Sequence, residues 1–189
     1  MTSPAEAGAT PTVVLVGPMG AGKTSIGRKL AKALHTSFRD TDAIIVREHG
    51  PIPELFRERG EPAFREIERG AVREALRAGG VISLGGGSVL DPETRRDLRA
   101  YRVVFLSVAL SVVRGRIAGA NRPLLNAGVD PVAEWRRIFD ERRPLYEEVA
   151  DLEIDTSKGP ISGVVARIAE WVENTANDEA PSAAQKGSA

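Results

Sequence analysis

Eight consecutive residues, Gly17-Pro18-Met19-Gly20-Ala21-Gly22-Lys23-Thr24, constrain this chain more than any other stretch. They follow an apolar run, residues 12–16, that reads as a buried strand. They precede residues 25–34, where Ile26, Leu30 and Leu34 share one face of a helix. Glycines at such a junction let successive backbone N–H groups turn inward and cradle phosphate oxygens, and the helix N-terminus adds partial positive charge. Lys23 is then placed to reach the β- and γ-phosphates of a nucleotide, and the Thr24 hydroxyl to ligate Mg²⁺. The pattern G-x-x-x-x-G-K-[ST], between strand and helix, specifies a nucleoside triphosphate site. It does not specify a reaction.

The rest of the chain extends the alternation of strand and helix. Residues 38–39 read as a short strand, and residues 43–49 and 53–59 as short helices separated by Gly50 and Pro51. A longer helix over 62–78 stops at Gly79-Gly80. Strands follow at 81–84, 103–107 and 152–155. Helices are expected at 91–100, opened by Asp91-Pro92, at 111–117, from Asp130-Pro131 towards Tyr146, and at 161–172. Such alternation implies an α/β fold with a parallel sheet and helices on both faces, three layers in all. At 189 residues, against roughly 100–200 per domain, one domain is expected. It spans residues 12–173, with a glycine-bearing loop at about 118–129 as a mobile lid. Residues 1–11 and 174–189, rich in Ala, Ser, Pro, Gly and Asn, read as disordered tails.

Composition narrows the function classes. Lys plus Arg number 26 and Asp plus Glu number 26, so the basic excess of a non-specific nucleic-acid binder is missing. There is no cysteine and there are two histidines, which excludes thiolate chemistry and argues against a multi-histidine metal centre. The apolar runs are far shorter than the ~20 residues of a membrane span, and the first residues carry no basic start or apolar stretch. A cytoplasmic protein without membrane or nucleic-acid partners is the expectation, and a monomer the default.

Three further features bear on chemistry. Asp40 and Asp42 flank Thr41 at the tip of the expected second strand, beside the phosphate loop. Either they divide the labour, Asp40 on the metal and Asp42 on an acceptor hydroxyl, or they cap the next helix. Gly85-Gly86-Gly87 follows the strand at 81–84, where open parallel sheets bind ligands, and would let backbone N–H groups approach a polyol. Arginine outnumbers lysine 21 to 5, so a single arginine is weak evidence. Arg65, three residues before Glu68, suggests an intrahelical pair; Arg122 sits in the glycine-bearing loop, and Arg142 near the end of a helix.

Taken in order, Gly17 to Thr24, Asp40-Thr41-Asp42, Gly60-Glu61 with Phe64-Arg65, the three glycines, Arg122-Pro123-Leu124-Leu125 and Arg142-Arg143-Pro144-Leu145-Tyr146 resemble the shikimate kinase family from about residue 13 to 172. The resemblance implies a P-loop NTPase of the nucleoside-monophosphate-kinase-like fold, with five parallel strands in the order 2-3-1-4-5. It implies transfer of the ATP γ-phosphate to the 3-hydroxyl of shikimate, on the route to chorismate and the aromatic amino acids. ATP would be bound by Gly17, Gly20, Ala21, Gly22, Lys23, Thr24, Ser25, Arg122 and Lys158, with Arg114 or Arg116 against the adenine. Shikimate would be bound by Asp42, Arg65, Gly86 and Arg142. Lys23, Asp42 and Arg122 would be catalytic, and Mg²⁺ would be held by Thr24 directly and Asp40 in support.

Shikimate carries one carboxylate and three hydroxyls, which suits two arginine forks, an aspartate and a glycine backbone. Gluconate is also a carboxylated polyol, so substrate shape alone admits gluconate kinase, and the nucleotide motif alone admits a nucleoside monophosphate kinase. The pairing of Phe64-Arg65 with Arg142-x-Pro-Leu-Tyr favours shikimate. A regulatory nucleotide-binding module would need the phosphate loop but neither Asp42 nor an acceptor pocket.

Overall fold

Val13, Val14, Leu15 and Val16 have no polar member, and in the computed structural model they form a strand buried on both faces. Residues 11–117 and 130–179 are described. The first strand, β1 (Val13–Val16), leads through the glycine loop into α1 (Lys23–Ala33), then β2 (Phe38–Asp40), α2 (Thr41–His49) and α3 (Ile52–Ala78). Next come β3 (Val81–Ser83), a 3₁₀ turn (Ser88–Leu90), α4 (Pro92–Leu98), β4 (Arg102–Ser107) and α5 (Leu110–Ile117). The chain closes with α6 (Pro131–Val149), β5 (Leu152–Asp155) and α7 (Ile161–Glu179). The sheet has five strands in the order β2-β3-β1-β4-β5, and every pairing is parallel.

Alternate residues of the central strands feed two cores, as a period of two requires. Val13, Leu15, Val104 and Leu106 pack with Ile26 and Leu30 of α1 and Ile168 of α7. Val14, Val16, Val103 and Phe105 pack on the other face with Val72 of α3, Leu98 of α4 and Tyr146 of α6. A third, smaller cluster (Ile45, Leu55, Phe64 and Ala71) ties α2 to α3 away from the sheet. Among the described residues, no helix is long and apolar enough to cross a membrane.

Three boundaries differ from those expected. The helix after β2 starts at Thr41 rather than Ala43, because the Asp40 carboxylate accepts the Ala43 N–H at 3.3 Å and caps it. The break expected between helices at 53–59 and 62–78 is present, where Gly60 takes φ 77° within α3, and the first of the two begins at Ile52. The reading of residues 174–189 as tail is corrected at its start, since α7 runs on to Glu179. There the Thr175 hydroxyl donates to the carbonyls of Trp171 (2.9 Å) and Val172 (3.2 Å). Residues 1–10, 118–129 and 180–189 are outside the described residues, and with them the expected lid.

Candidate active site

The phosphate loop turns from β1 into α1 with Gly20 at φ 85° and Gly22 at φ 88°, backbone that side chains beyond glycine rarely adopt. Gly17 is tucked against β4, where a Cβ would stand 2.3 Å from the Leu106 carbonyl oxygen. Side chains hold four of the loop's carbonyls. The Lys23 ammonium donates to the Gly17 (2.7 Å) and Pro18 (3.0 Å) carbonyls. The Trp135 indole N–H donates to the Met19 carbonyl at 2.9 Å. The buried Thr156 hydroxyl lies 3.0 Å from the Ala21 carbonyl and 3.0 Å from that of Ser107. A glycine-bearing turn into a helix N-terminus is the form that cradles phosphate oxygens.

Two cavities open on this loop. One, of about 660 Å³, is lined by Gly20 to Ser25, together with Asp40, Thr156 and Gly159. The other, of about 560 Å³, is lined by Arg65 of α3, Gly86 and Gly87 after β3, and Arg142 of α6. Met19, Lys23, Asp42 and Val46 line both. Asp40 makes two bonds at once, one of them the capping bond. One of its oxygens caps α2, while the other accepts the Thr24 hydroxyl at 2.7 Å. Asp42, in the first turn of α2, faces the cavities instead.

A hydroxyl and a carboxylate side by side are hard oxygen donors of the kind Mg²⁺ accepts. Among the described residues no three of His, Cys, Asp or Glu come together to form a protein cage.

The second cavity is built around Arg65. Its guanidinium donates to Glu68 at 2.6 Å and to Glu61 at 2.9 Å. Burial works to lower the Arg65 pKa, but the charges and hydrogen bonds of Glu68 and Glu61 outweigh it and hold the group above the usual arginine range. Glu68 is 4% exposed and also accepts the Ser88 hydroxyl at 3.0 Å, so the expected intrahelical pair is anchored to the turn after β3. Tyr146 donates to the Gly86 carbonyl at 2.6 Å and stacks on Phe105 with ring centroids 5.2 Å apart. Burial, against the opposing effect of Arg142, pushes its phenol up to about 12.

Two of the three glycines meet a packing demand that the sequence did not show. A Cβ on Gly85 would lie 2.6 Å from an Asp42 carboxylate oxygen and 2.9 Å from one of Glu68. On Gly87 it would lie 2.3 Å from the Arg65 guanidinium. Gly85 and Gly87 thus leave room for side chains, while Gly86 faces the cavity. The buried Thr41 hydroxyl accepts the Gly85 N–H at 3.0 Å and ties the two loops together.

Of the residues expected from sequence, Gly20, Ala21, Gly22, Lys23, Thr24, Ser25 and Asp40 line the first cavity, and Asp42, Arg65, Gly86 and Arg142 the second. Gly17 lies beneath the loop. Lys158 and Arg114 are exposed and line neither cavity. Arg122 and the side chain of Arg116 are outside the described residues. Sequence reading gave no role to Trp135, Thr156, Tyr146 or Thr41, whose bonds join segments far apart in the chain.

The shikimate kinase family model matches residues 19–173. A shikimate kinase of Saccharopolyspora erythraea is 49% identical over 166 residues, 86% of this chain and 94% of its own length. One of Corynebacterium efficiens is 46% identical over 168 residues, 88% of this chain and 99% of its own length. The solved shikimate kinase of Acinetobacter baumannii, in complex with shikimate, superposes with a TM-score of 0.83 at 34% identity, covering 88% of this chain and 95% of that one. With the phosphate loop, the strand order and the paired cavities in agreement, the chain belongs to the shikimate kinase family.

Proposed function

We propose that this protein transfers the γ-phosphate of ATP to the 3-hydroxyl of shikimate, giving shikimate 3-phosphate and ADP. The observation that carries this reading is the shared wall: Lys23 and Asp42 line both the phosphate-loop cavity and the cavity holding Arg65 and Arg142. A nucleotide in the first and a polyol in the second would bring a phosphoryl group and a hydroxyl together at those two side chains.

In this mechanism Arg65 and Arg142 clamp the shikimate carboxylate, a geometry that fork-shaped guanidinium groups serve and ammonium groups do not. The Asp42 carboxylate accepts the proton of the 3-hydroxyl, whose oxygen attacks the γ-phosphorus as the bond to the bridging oxygen of ADP breaks. Lys23 leaves its own loop's carbonyls for the β- and γ-phosphate oxygens and, with loop N–H groups, offsets the charge that spreads over them. Thr24 and Asp40 would hold Mg²⁺, which supplies further charge neutralisation when bound with ATP. Arg122 is proposed to reach the phosphates from the lid. Catalysis is then positioning plus electrostatics, and the two cavities are built from one chain, which supports a monomer as the working unit.

The test is ADP release with ATP and Mg²⁺, offering shikimate, gluconate, a panel of nucleoside monophosphates, or no acceptor. ADP production dependent on shikimate alone is expected. Release with another acceptor, or with none, would overturn the roles given to Arg65 and Arg142.

A further inference from the structure

Thr156 follows β5 directly and is 8% exposed. Its backbone N–H donates to the Ser107 carbonyl at 2.8 Å, which carries the β4–β5 pairing one residue past the sheet. Its hydroxyl lies 3.0 Å from that same carbonyl and 3.0 Å from the Ala21 carbonyl of the phosphate loop. A hydroxyl has one hydrogen to give. Ser107 already receives the backbone N–H, so the hydrogen is of most use at Ala21, a fully buried residue. The resulting bond joins positions 135 apart in the chain.

From Thr156 the chain turns along a different wall of the nucleotide cavity. The Ser157 hydroxyl accepts the Ala109 N–H at 2.6 Å and donates to Asp155, which holds the end of β5 against the start of α5. Beyond it Gly159, Ile161 and Val164 line the cavity that Gly20 to Ser25 and Thr156 also line. Ile161 is 38% exposed, an apolar side chain left open at the start of α7. A nucleoside triphosphate carries charged phosphates at one end and a flat aromatic base at the other. The phosphates belong with the glycine loop and Lys23, the base with Ile161 and Val164. One covalent molecule has a limited reach, so it satisfies both walls only when they stand at the matching separation. We infer that Thr156 is a positioning residue for the nucleotide: its hydroxyl, bonded to the Ala21 carbonyl, fixes the spacing between the phosphate loop and the Ile161 wall that one nucleotide must span. This rests on the proposed use of ATP, and it adds a residue that acts through the phosphate loop.

Thr156→Val keeps the shape and removes the donor. Two ligands read the consequence: Mg·ADP, which reaches both walls, and Mg·tripolyphosphate, which has no base. Both are measured by displacement of a fluorescent ADP. Affinity for Mg·ADP should fall about tenfold, as loss of one hydrogen bond to a buried carbonyl allows, and affinity for tripolyphosphate should stay within about twofold of wild type. KM for ATP should follow ADP, with KM for shikimate unchanged. Thr156→Ser restores the donor and should return Mg·ADP affinity to within about threefold of wild type. A merely structural threonine would lower the melting temperature of the valine variant without separating the two ligands. That result would overturn the inference, as would equal losses for both ligands or wild-type affinity for Mg·ADP. If the valine variant does not fold, Thr156→Ala leaves room for water at the Ala21 carbonyl and carries the same expectation. Neither binding measurement needs an acceptor. Failure of the wild type to phosphorylate shikimate would therefore sink the kinase reading and leave Thr156 to be judged by the ratio of the two affinities.

Discussion

Gly87 and Arg65 compete for one volume: a Cβ at position 87 would stand 2.3 Å from Nη1 of Arg65 and 3.0 Å from its Cζ. Gly87 has φ −96°, so its backbone accepts alanine without strain. Gly87→Ala is thus a displacement of Arg65 alone. The guanidinium must move, and any move that breaks its bond to the buried Glu68 carboxylate also lowers the melting temperature. KM for shikimate should rise roughly tenfold, as loss of one well-placed charged contact implies. Steady-state kinetics with varied shikimate check this; an unaltered KM would remove Arg65 from the carboxylate clamp.

Asp42→Asn keeps the shape at the shared wall and removes the charge. Turnover should drop by about 100-fold or more, the usual contribution of a general base, while Mg·ADP affinity is retained. Turnover within a few-fold of wild type would refute a proton-accepting or orienting role.

Asp40 separates structure from chemistry through a pair of variants. Asparagine still caps α2, whereas alanine does not, so Asp40→Ala alone should lose about 1 kcal/mol in urea unfolding. Both variants should need more Mg²⁺ for half-maximal rate, because both lack the carboxylate beside Thr24. Equal stability of the two, or an unchanged Mg²⁺ requirement, would contradict one half of this assignment.

Tyr146 predicts an alkaline effect. Its phenol pKa is raised from 10.0 to about 12 by burial, so the folded state holds this proton more tightly than the unfolded chain. The stability it contributes is intact below pH 10 and is lost as pH rises towards 12. Tyr146→Phe removes that dependence along with the bond to Gly86. The difference in unfolding free energy between wild type and variant should therefore shrink by about 1 kcal/mol between pH 8 and pH 11. Parallel curves at the two pH values would show that the phenol is not shielded.

Local features were legible in the sequence. A phosphate loop needs consecutive residues in one strand–turn–helix, and a cap needs Asp40 and Ala43 three residues apart, so both are written in short windows. Strand order and the pairing of Arg65 with Arg142 came through the resemblance, since no periodicity places α3 beside α6. Gly85-Gly86-Gly87 was legible as a site, but not the crowding by Asp42, Glu68 and Arg65 that Gly85 and Gly87 relieve. Nothing in the sequence pointed to a role for Trp135 in the site. Its bond to Met19 joins positions 116 apart, and no spacing rule reaches that far. The end of α7 was missed because polar composition argued for a tail, whereas a helix carries polar residues readily on its solvent face.

Helix α6 meets the phosphate loop through Trp135 and the glycine loop through Tyr146, with Arg142 between them. Along a helix those eleven steps span about 16 Å, and each residue added or removed rotates the remainder of the helix by about 100°. The helix therefore works as a ruler with its marks on one edge. A single-residue insertion between Trp135 and Tyr146 would swing Arg142 and Tyr146 off the cavity while leaving every other residue of the site untouched. Length variation among functional relatives should accordingly be absorbed before residue 135 or after residue 146, and engineering that lengthens this enzyme has those two places to do it.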